Sequence, residues 1–584
     1  MKSRILVALT LVLCSGQVAR GQQTAPEPLD FKEFGLLAIQ DNGRRKPIDT
    51  FAKETLVRIS GRSTYRTGAR KWRPNDFILS ALTETHDWKS EPMVLVSFGK
   101  LKERLELDKT GRRFSFQQLA ASPELNRLAN EAREKRRAEK PLDRLEQEAL
   151  SVSERLTLFA NVLDGSAFLI VPAPKNATDP WVVPPAFGQY YSEEQFAPIQ
   201  KQLSSLATAY VQSDSFNFSR AANQLRQDLR TMSPAIYPQD RQLRLEYFYN
   251  HFDAFYRAIW FYGLGFIVLL VAHLRKNAAR RAAATIAAAS LREAPPRKTN
   301  TFQWIGVAVA LVALALHASG IVMRCLIAGR PPVTNMYESI IWVSFAVSFF
   351  GLIFFARYRT PVYLLAALPV TFVALLLVHQ MPIAMPSSID PLVPVLRDNF
   401  WLTVHVLTIT LSYAAFALAM GFGHILLFRY ARNPSGARAD TAMHFWLYRV
   451  LQLGVLLLAA GTILGGVWAN YSWGRFWGWD PKETWALIAL LCYILTLHGR
   501  LAGWWTEFGL VVASVVCFLA VLMAWYGVNF VLGKGLHSYG FGIGGETYVA
   551  IFVIVDLLFV AFAIWRYRAS RRALRPVEVA VSAA

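Results

Sequence analysis

Trp473-Gly474-Arg475-Phe476-Trp477-Gly478-Trp479-Asp480-Pro481-Lys482-Glu483-Thr484-Trp485 places four tryptophans in thirteen residues, with a hydrophobic span on either side. The glycines let the backbone bend, and Asp480-Pro481 marks a helix start. An aromatic belt, the ordinary use of Trp at headgroup level, scatters its rings instead of gathering them in one Gly-spaced loop. Flat apolar rings at a membrane surface, with a carboxylate among them, suit a large planar cofactor such as haem. Asp480 either orients a ligand or backbone group there or caps the helix that begins at Pro481.

The chain around this loop has 584 residues, 53% of them hydrophobic, and a mean hydropathy of +0.27. That balance is too apolar for a wholly soluble protein and too polar for a pure membrane bundle, so it implies a split into two parts. The net charge of +21 recurs at span ends, which indicates membrane topology and not nucleic acid. No RNA- or DNA-binding motif is found. The four cysteines (Cys14, Cys325, Cys492, Cys517) form no C-x-x-C, which excludes a thioredoxin-type site, a zinc ribbon and a covalent haem attachment site. Thiol chemistry, if any, must come from another chain.

Lys2 and Arg4 precede the apolar run Ile5 to Leu13, and small or polar residues follow to Gly21. Residues 1–21 are therefore read as a secretory signal peptide; a lipoprotein reading through Cys14 is weaker because bulky Leu13 precedes it. Residues 22–250 form an extracytoplasmic domain, with one helical stretch expected over Pro123 to Leu163. The His86/Asp87 pair in it reads as local structure. Nine apolar segments of about 20 residues follow, near 255–274, 302–323, 336–356, 361–379, 401–428, 447–469, 484–499, 506–531 and 547–566. The fold class is thus a polytopic α-helical membrane protein of about nine transmembrane helices, preceded by a soluble, mostly α extracytoplasmic domain. Residues 251–299 comprise the first helix and a flexible basic cytoplasmic linker, 300–570 an eight-helix module, and 571–584 a cytoplasmic tail. Every segment expected in the cytoplasm is basic (Arg275 and Lys276; Arg357 and Arg359; Arg429 and Arg432; Arg500; Arg566 and Arg568), as the positive-inside rule requires.

This topology sorts the histidines. His405, near the outer end of span five, and His537, in the loop after span eight, share the face of the Trp-rich loop and make a candidate axial pair for haem iron. His498 sits at the inner end of span seven, where an ionisable residue is a candidate functional site. His273 and His424 lie at inner ends, His317 inside span two and His379 at the outer end of span four; each is a weaker candidate. Trp477 and Trp479 can pack on a porphyrin face, and Arg475 or Lys534 can pair with its propionates.

From about residue 300 to 570 the sequence resembles the CcsA/ResC-type cytochrome c biogenesis proteins, the haem-handling membrane subunits of System II. The specific piece is the loop from Trp473 to Trp485, similar to that family's WWD signature. Pro332-Val333-Thr334-Asn335-Met336-Tyr337-Glu338-Ser339, the run Leu392 to Leu396 before Trp401 and His405, and Gly533 to Gly540 support it. The resemblance implies that His405 and His537 ligate iron at an external site, and that His498 belongs to a transmembrane haem site. It implies haem b (iron protoporphyrin IX) as the bound group, with Trp473, Trp477, Trp479, Asp480 and Trp485 beside it. It further implies delivery of haem to the outer face and its thioether attachment to the C-x-x-C-H segment of apocytochrome c, as part of a holocytochrome c synthase (haem lyase). Expected partners are apocytochrome c, thiol-reducing factors and a CcsB/ResB-like membrane subunit, which in fused System II synthases supplies the other transmembrane histidine. That module is not found in this sequence; either a partner or His273 completes the inner site, and the partner is favoured. The implied location is the bacterial cytoplasmic (inner) membrane, with the N-terminal domain and WWD loop on the periplasmic side. The segment Ile39 to Ala52 resembles N-terminal extensions of some CcsA-like proteins and receives no role. A haem exporter or chaperone without attachment activity, and a diheme b-type electron-transfer protein, are the alternative readings.

Overall fold

The computed structural model describes residues 29–68, 70–172, 179–290, 301–392, 399–532 and 545–582. The expected signal peptide, His537 and Lys534 with their motif, and residues 393–396 of the run before Trp401 lie outside the described residues.

The soluble domain is mostly helical and packs around large buried rings, among them Phe34, Phe51, Phe77, Trp88, Phe159 and Trp181. After a one-turn helix at Lys32–Gly35, a hairpin of β1 (Ala38–Asp41) and β2 (Arg44–Pro47) leads directly into α1 (Ile48–Ser60). Two further two-stranded antiparallel sheets, none anticipated from sequence, brace its edges. The stretch Pro123 to Leu163, expected to be helical, forms two helices: Pro123–Arg137, and α2 (Arg144–Leu163), which starts at a capping box on Asp143. Pro141 falls in the break between them, and a proline there cannot continue a helix. His86 Nε2 donates to the Glu91 carboxylate (3.1 Å) and its ring stands edge-on to Trp88, so the His86/Asp87 pair is engaged in local structure.

The domain enters the membrane module through α3 (Asp240–Phe252). One left-handed residue, Asp253 (φ 43°), separates α3 from the helix Ala254–Ser290. That helix runs on through the residues read as a flexible linker: they are helical to Ser290, in keeping with their alanine content. Among the described residues nine helices are long and apolar enough to cross a membrane, and all nine coincide with the segments expected from sequence. Span five is the hub, with 72% of its most apolar window inside the protein against 17% for span nine. Its small residues (Ala414, Ala415, Ala417, Ala419) let neighbouring helices approach closely, the usual means of helix packing in lipid. One ring contact inside this bundle is unusually close: Phe416 stacks on Tyr493 of span seven with centroids 3.7 Å apart.

Two polar contacts tie spans together within the bundle. Arg324 of span two donates to Glu338 of span three (2.8 Å), each side chain 1% exposed. The same guanidinium donates to the carbonyls of Ser387 (2.8 Å) and Ser388 (2.9 Å) and to the Tyr249 hydroxyl of α3 (3.3 Å). Glu338 also accepts from the Thr334 backbone (2.9 Å) and hydroxyl (2.6 Å). In span five, His424 places Nε2 2.6 Å from Asp556 of span nine and Nδ1 2.8 Å from the Met420 carbonyl.

Removing one member of the buried Arg324–Glu338 pair strands the other charge. Arg324→Met is expected to destabilise the full chain by about 3–5 kcal/mol. Arg324→Met with Glu338→Met is expected to recover part of that loss, since no charge is stranded but the Ser387 and Ser388 carbonyls still lose their donor. Thermal unfolding of the detergent-solubilised protein checks this; equal losses in the single and double variants would show that the charge itself is not the cost.

Candidate functional site at the domain end of the bundle

The Trp-rich loop lies at the same end of the bundle as the soluble domain, between spans six and seven. Span six ends at Trp473, and Gly474 closes it in the left-handed conformation (φ 68°). Asp480 is the N-cap of span seven and makes a capping box with Glu483, with Pro481 in the first turn. Of the two readings of Asp480, the structure shows the cap. Glu483 accepts from the backbone of Gly478 (2.8 Å) and Asp480 (3.2 Å), and from Arg475 (3.4 Å), so a single carboxylate gathers the loop.

Trp479 is held with φ 57°, a conformation rare for a bulky side chain, and its indole is 69% exposed. Trp477 stands perpendicular to it, centroids 5.8 Å apart. Strained backbone that presents an exposed ring is characteristic of binding loops.

Below the loop is a cavity of about 170 Å³, lined by His405, Trp468, Trp477, Lys482, Trp525, Asn529 and the Val333–Met336 segment, among others. Two of its walls are π-helical: Leu402–Val406, which carries His405, and Met523–Leu532 at the end of span eight. Such wider turns are rare and cluster at functional sites. Lys482 donates to the carbonyls of Ala524 (3.0 Å) and Trp525 (3.3 Å) in the second, binding the Trp-rich loop to span eight. Trp525 in turn donates to Ser339 (3.0 Å).

The His405 ring lies on span six. Its Nδ1 is 2.8 Å from the Gly461 carbonyl, which can only accept, so Nδ1 carries a proton and Nε2 is the nitrogen on the other side of the ring. A Cβ on Gly465 would fall 2.6 Å from His405 Cε1, so only glycine leaves room for the ring. Trp468 Nε1 and Asn529 Oδ1 are buried without a partner among the described residues. A nitrogen base, orphaned polar atoms and apolar rings together fit haem. Ligand pockets that enclose drug-sized molecules measure about 300–1,000 Å³, so this cavity is too small to enclose a whole porphyrin.

Other candidates fall elsewhere. Trp473, Trp479, Asp480 and Trp485 belong to the loop and the start of span seven but do not line the cavity. His498 is at the far end of span seven, about 25 Å from Pro481 by helical rise. It is exposed, and its Nδ1 is 2.9 Å from the Ile494 carbonyl, so Nε2 is the ring nitrogen turned away from its own helix. Leu491 (54% exposed) and Leu495 (51%) share its face. His273 and His424 line a separate, larger cavity of about 1300 Å³. His424 has both ring nitrogens engaged and is not placed as a ligand. His317 is fully buried beside Tyr262 (3.2 Å), and His379 packs on Tyr256. Sequence reading missed Trp468, Lys482, Trp525 and Asn529 as site residues. It also missed the seat of His405, although Gly461 and Gly465, four residues apart in an apolar span, carry the small-residue signature of close helix contact.

A family model described as "Cytochrome C assembly protein" matches residues 333–537. The chain is 29% identical over 527 residues to Protein NrfI of Wolinella succinogenes, which covers 88% of this chain and 54% of NrfI. It thus spans about half the length of that relative. It is 33% identical over 279 residues to the cytochrome c biogenesis protein CcsA of Parasynechococcus marenigrum, covering 41% of this chain and 88% of that protein. Against CcsA of a Synechococcus species it is 34% identical over 271 residues, 40% of this chain and 87% of the relative. The chain therefore belongs to the CcsA-type cytochrome c biogenesis family, a group of multi-pass membrane proteins that serve cytochrome c maturation.

Proposed function

We propose that this protein receives haem b as cargo, holds it at the domain end of the bundle and presents it for covalent attachment to apocytochrome c. The observation that carries this reading is the seat of His405, whose ring is fixed by the Gly461 carbonyl and fitted against Gly465 beside Trp477. His405 offers Nε2 to the iron. His537 is the second axial ligand by family resemblance. Trp477 and Trp479 cover the porphyrin face, at about 25 cal/mol per Å² of apolar surface removed from water. The Glu483 carboxylate and the Asp480 cap hold the loop in the conformation that exposes Trp479. Trp473 and Trp485 brace the two ends of the loop.

The cargo supplies two vinyl groups, to which the two thiols of a C-x-x-C-H segment add. Each addition forms a carbon–sulfur bond and moves the thiol proton to the neighbouring vinyl carbon, so no oxidant is consumed. The task left to this chain is orientation, which removes the entropic cost of bringing thiol and vinyl together. No nucleophile is needed from it, in keeping with a cysteine pattern that lacks a C-x-x-C.

His498 is the candidate ligand of a second, transmembrane haem site. Its exposed imidazole on an apolar face with Leu491 and Leu495 suits a neighbouring membrane-spanning unit, and a CcsB/ResB-like subunit bearing the other histidine is the proposed partner. The basic span ends favour a cytoplasmic location for that site. The soluble domain and WWD loop then face the periplasm of a bacterial inner membrane, where thiol-reducing factors keep the apocytochrome ready.

The protein purified from membranes is expected to carry b-type haem by pyridine haemochrome spectra, and His405→Ala with His537→Ala to lose it. Haem retained unchanged in that double variant would sink the external site. Gly465→Ala drives a methyl group into the His405 ring and is expected to cost about 1–3 kcal/mol by overpacking. Most of the bound haem should be lost at normal protein yield; an unaltered spectrum would show that the ring's seat is not part of the site.

A further inference from the structure

The segment from Ile39 to Ala52, left without a role by its sequence, is the hairpin β1–β2 and the first residues of α1. Asp41 pairs with Arg44 across a two-residue turn, and both turn residues have positive φ (Asn42 52°, Gly43 76°). This is a type I′ turn, which Asn-Gly forms at least strain and whose twist matches the strands. The tip is therefore stiff.

The strand after the turn, and the helix it enters, are clamped. The Arg44 guanidinium grips Glu246 of α3 with two hydrogen bonds (2.9 and 2.5 Å), and Thr50 donates to the same carboxylate (2.9 Å). Asn250 of α3 donates to Asp49 (3.1 Å) and Thr50 (2.8 Å). The hairpin is thus fastened to the helix that leads into span one.

The tip touches the membrane module. Asn42 Nδ2 donates to Asp390 Oδ1 (3.4 Å), and a Cβ on Gly43 would stand 3.7 Å from Pro391. Asp390 is in the segment between spans four and five, whose continuation leads to His405. Its carbonyl accepts from Arg330 (2.6 Å), and Arg330 also donates to the Thr334 hydroxyl (2.5 Å). Thr334 lines the cavity that contains His405. Three successive contacts therefore join the hairpin tip to the wall of the candidate site.

We infer that the β1–β2 hairpin is a positioning element for the outer site: through Asp390 and Arg330 it fixes the 330–335 wall against which His405 and its cargo are held. The soluble domain is then part of the site's support. Contiguous polar contacts between two rigid elements are the physical form that such coupling takes, and only a coupling measurement establishes it. What the wall holds rests on the proposed haem function; that the hairpin sets the wall does not.

The test is a reciprocal exchange in the full chain. Asn42→Asp keeps a turn-compatible residue but sets a carboxylate against Asp390. Asp390→Asn in the same chain restores a donor–acceptor pair with the roles reversed. Hydrogen exchange of the 330–336 amides is read by mass spectrometry, and the haem spectrum alongside. Asn42→Asp is expected to speed exchange in 330–336 by about tenfold and to lower the haem retained, and the double variant to reverse both. Unchanged exchange in 330–336, or acceleration that the second substitution does not reverse, would overturn the inference. If Asn42→Asp accumulates poorly, Asn42→Ala removes the donor without adding charge and must show the same acceleration. A wild-type protein without haem would defeat the proposed function, and the exchange rates would still decide whether the hairpin sets the wall.

Discussion

A guanidinium taken out of water must be paired, and at Arg324 that requirement draws four segments together. Arg324 itself is in span two. Its partners are Glu338 at the start of span three, the carbonyls of Ser387 and Ser388 after span four, and Tyr249 of α3. Each bond compensates part of the desolvation of a charge that is 1% exposed, and none can be given up cheaply. Glu338 passes the constraint on by accepting from Thr334, which fixes the segment that walls the cavity under the Trp-rich loop. The soluble domain, the loop after span four and the first turn of span three therefore meet at one ion pair. A hydrophobic replacement would fill the space but would leave the Ser387 and Ser388 carbonyls without a donor.

The same end of the bundle departs from regular helix where the site needs it. The π-helical turns at Leu402–Val406 and Met523–Leu532 misalign carbonyls that an α-helix would use internally. Lys482 takes up two of them, those of Ala524 and Trp525, and so joins the Trp-rich loop to span eight. Irregular backbone at membrane depth is tolerated only where protein or a cavity satisfies it. Here both conditions hold, and the irregular turns line the cavity.

The nine spans were legible because each must satisfy its own backbone and present about 20 apolar residues to lipid, a local property. The Trp-rich loop and the cap at Asp480 were legible for the same reason: turn chemistry and capping act over three or four residues. The stretch Pro123 to Leu163 was legible as helical from its Glu/Arg/Ala/Leu composition, but the break around Pro141 that divides it into two helices was not anticipated. The cavity was not legible. Thr334, His405, Trp468, Trp477 and Asn529 come from five separate stretches of chain, and only packing brings them together. His405 could be selected by side of the membrane, but its tautomer and its glycine seat depend on a carbonyl 56 residues away. The β1–β2 hairpin carried an Asn-Gly turn signal in plain view, yet its contact with Asp390 is 348 residues distant in sequence.

The His424–Asp556 contact has a consequence for how span nine is oriented. The two ring nitrogens of His424 face a carbonyl of its own helix and the Asp556 carboxylate, so the imidazole bridges span five to one face of span nine. Span nine is the least enclosed of the nine helices among the described residues, with 17% of its window inside the protein. Apolar side chains slide over one another at little cost, whereas a hydrogen bond holds a direction. The contact therefore fixes the rotation of span nine about its own axis, which its sparse packing leaves weakly defined.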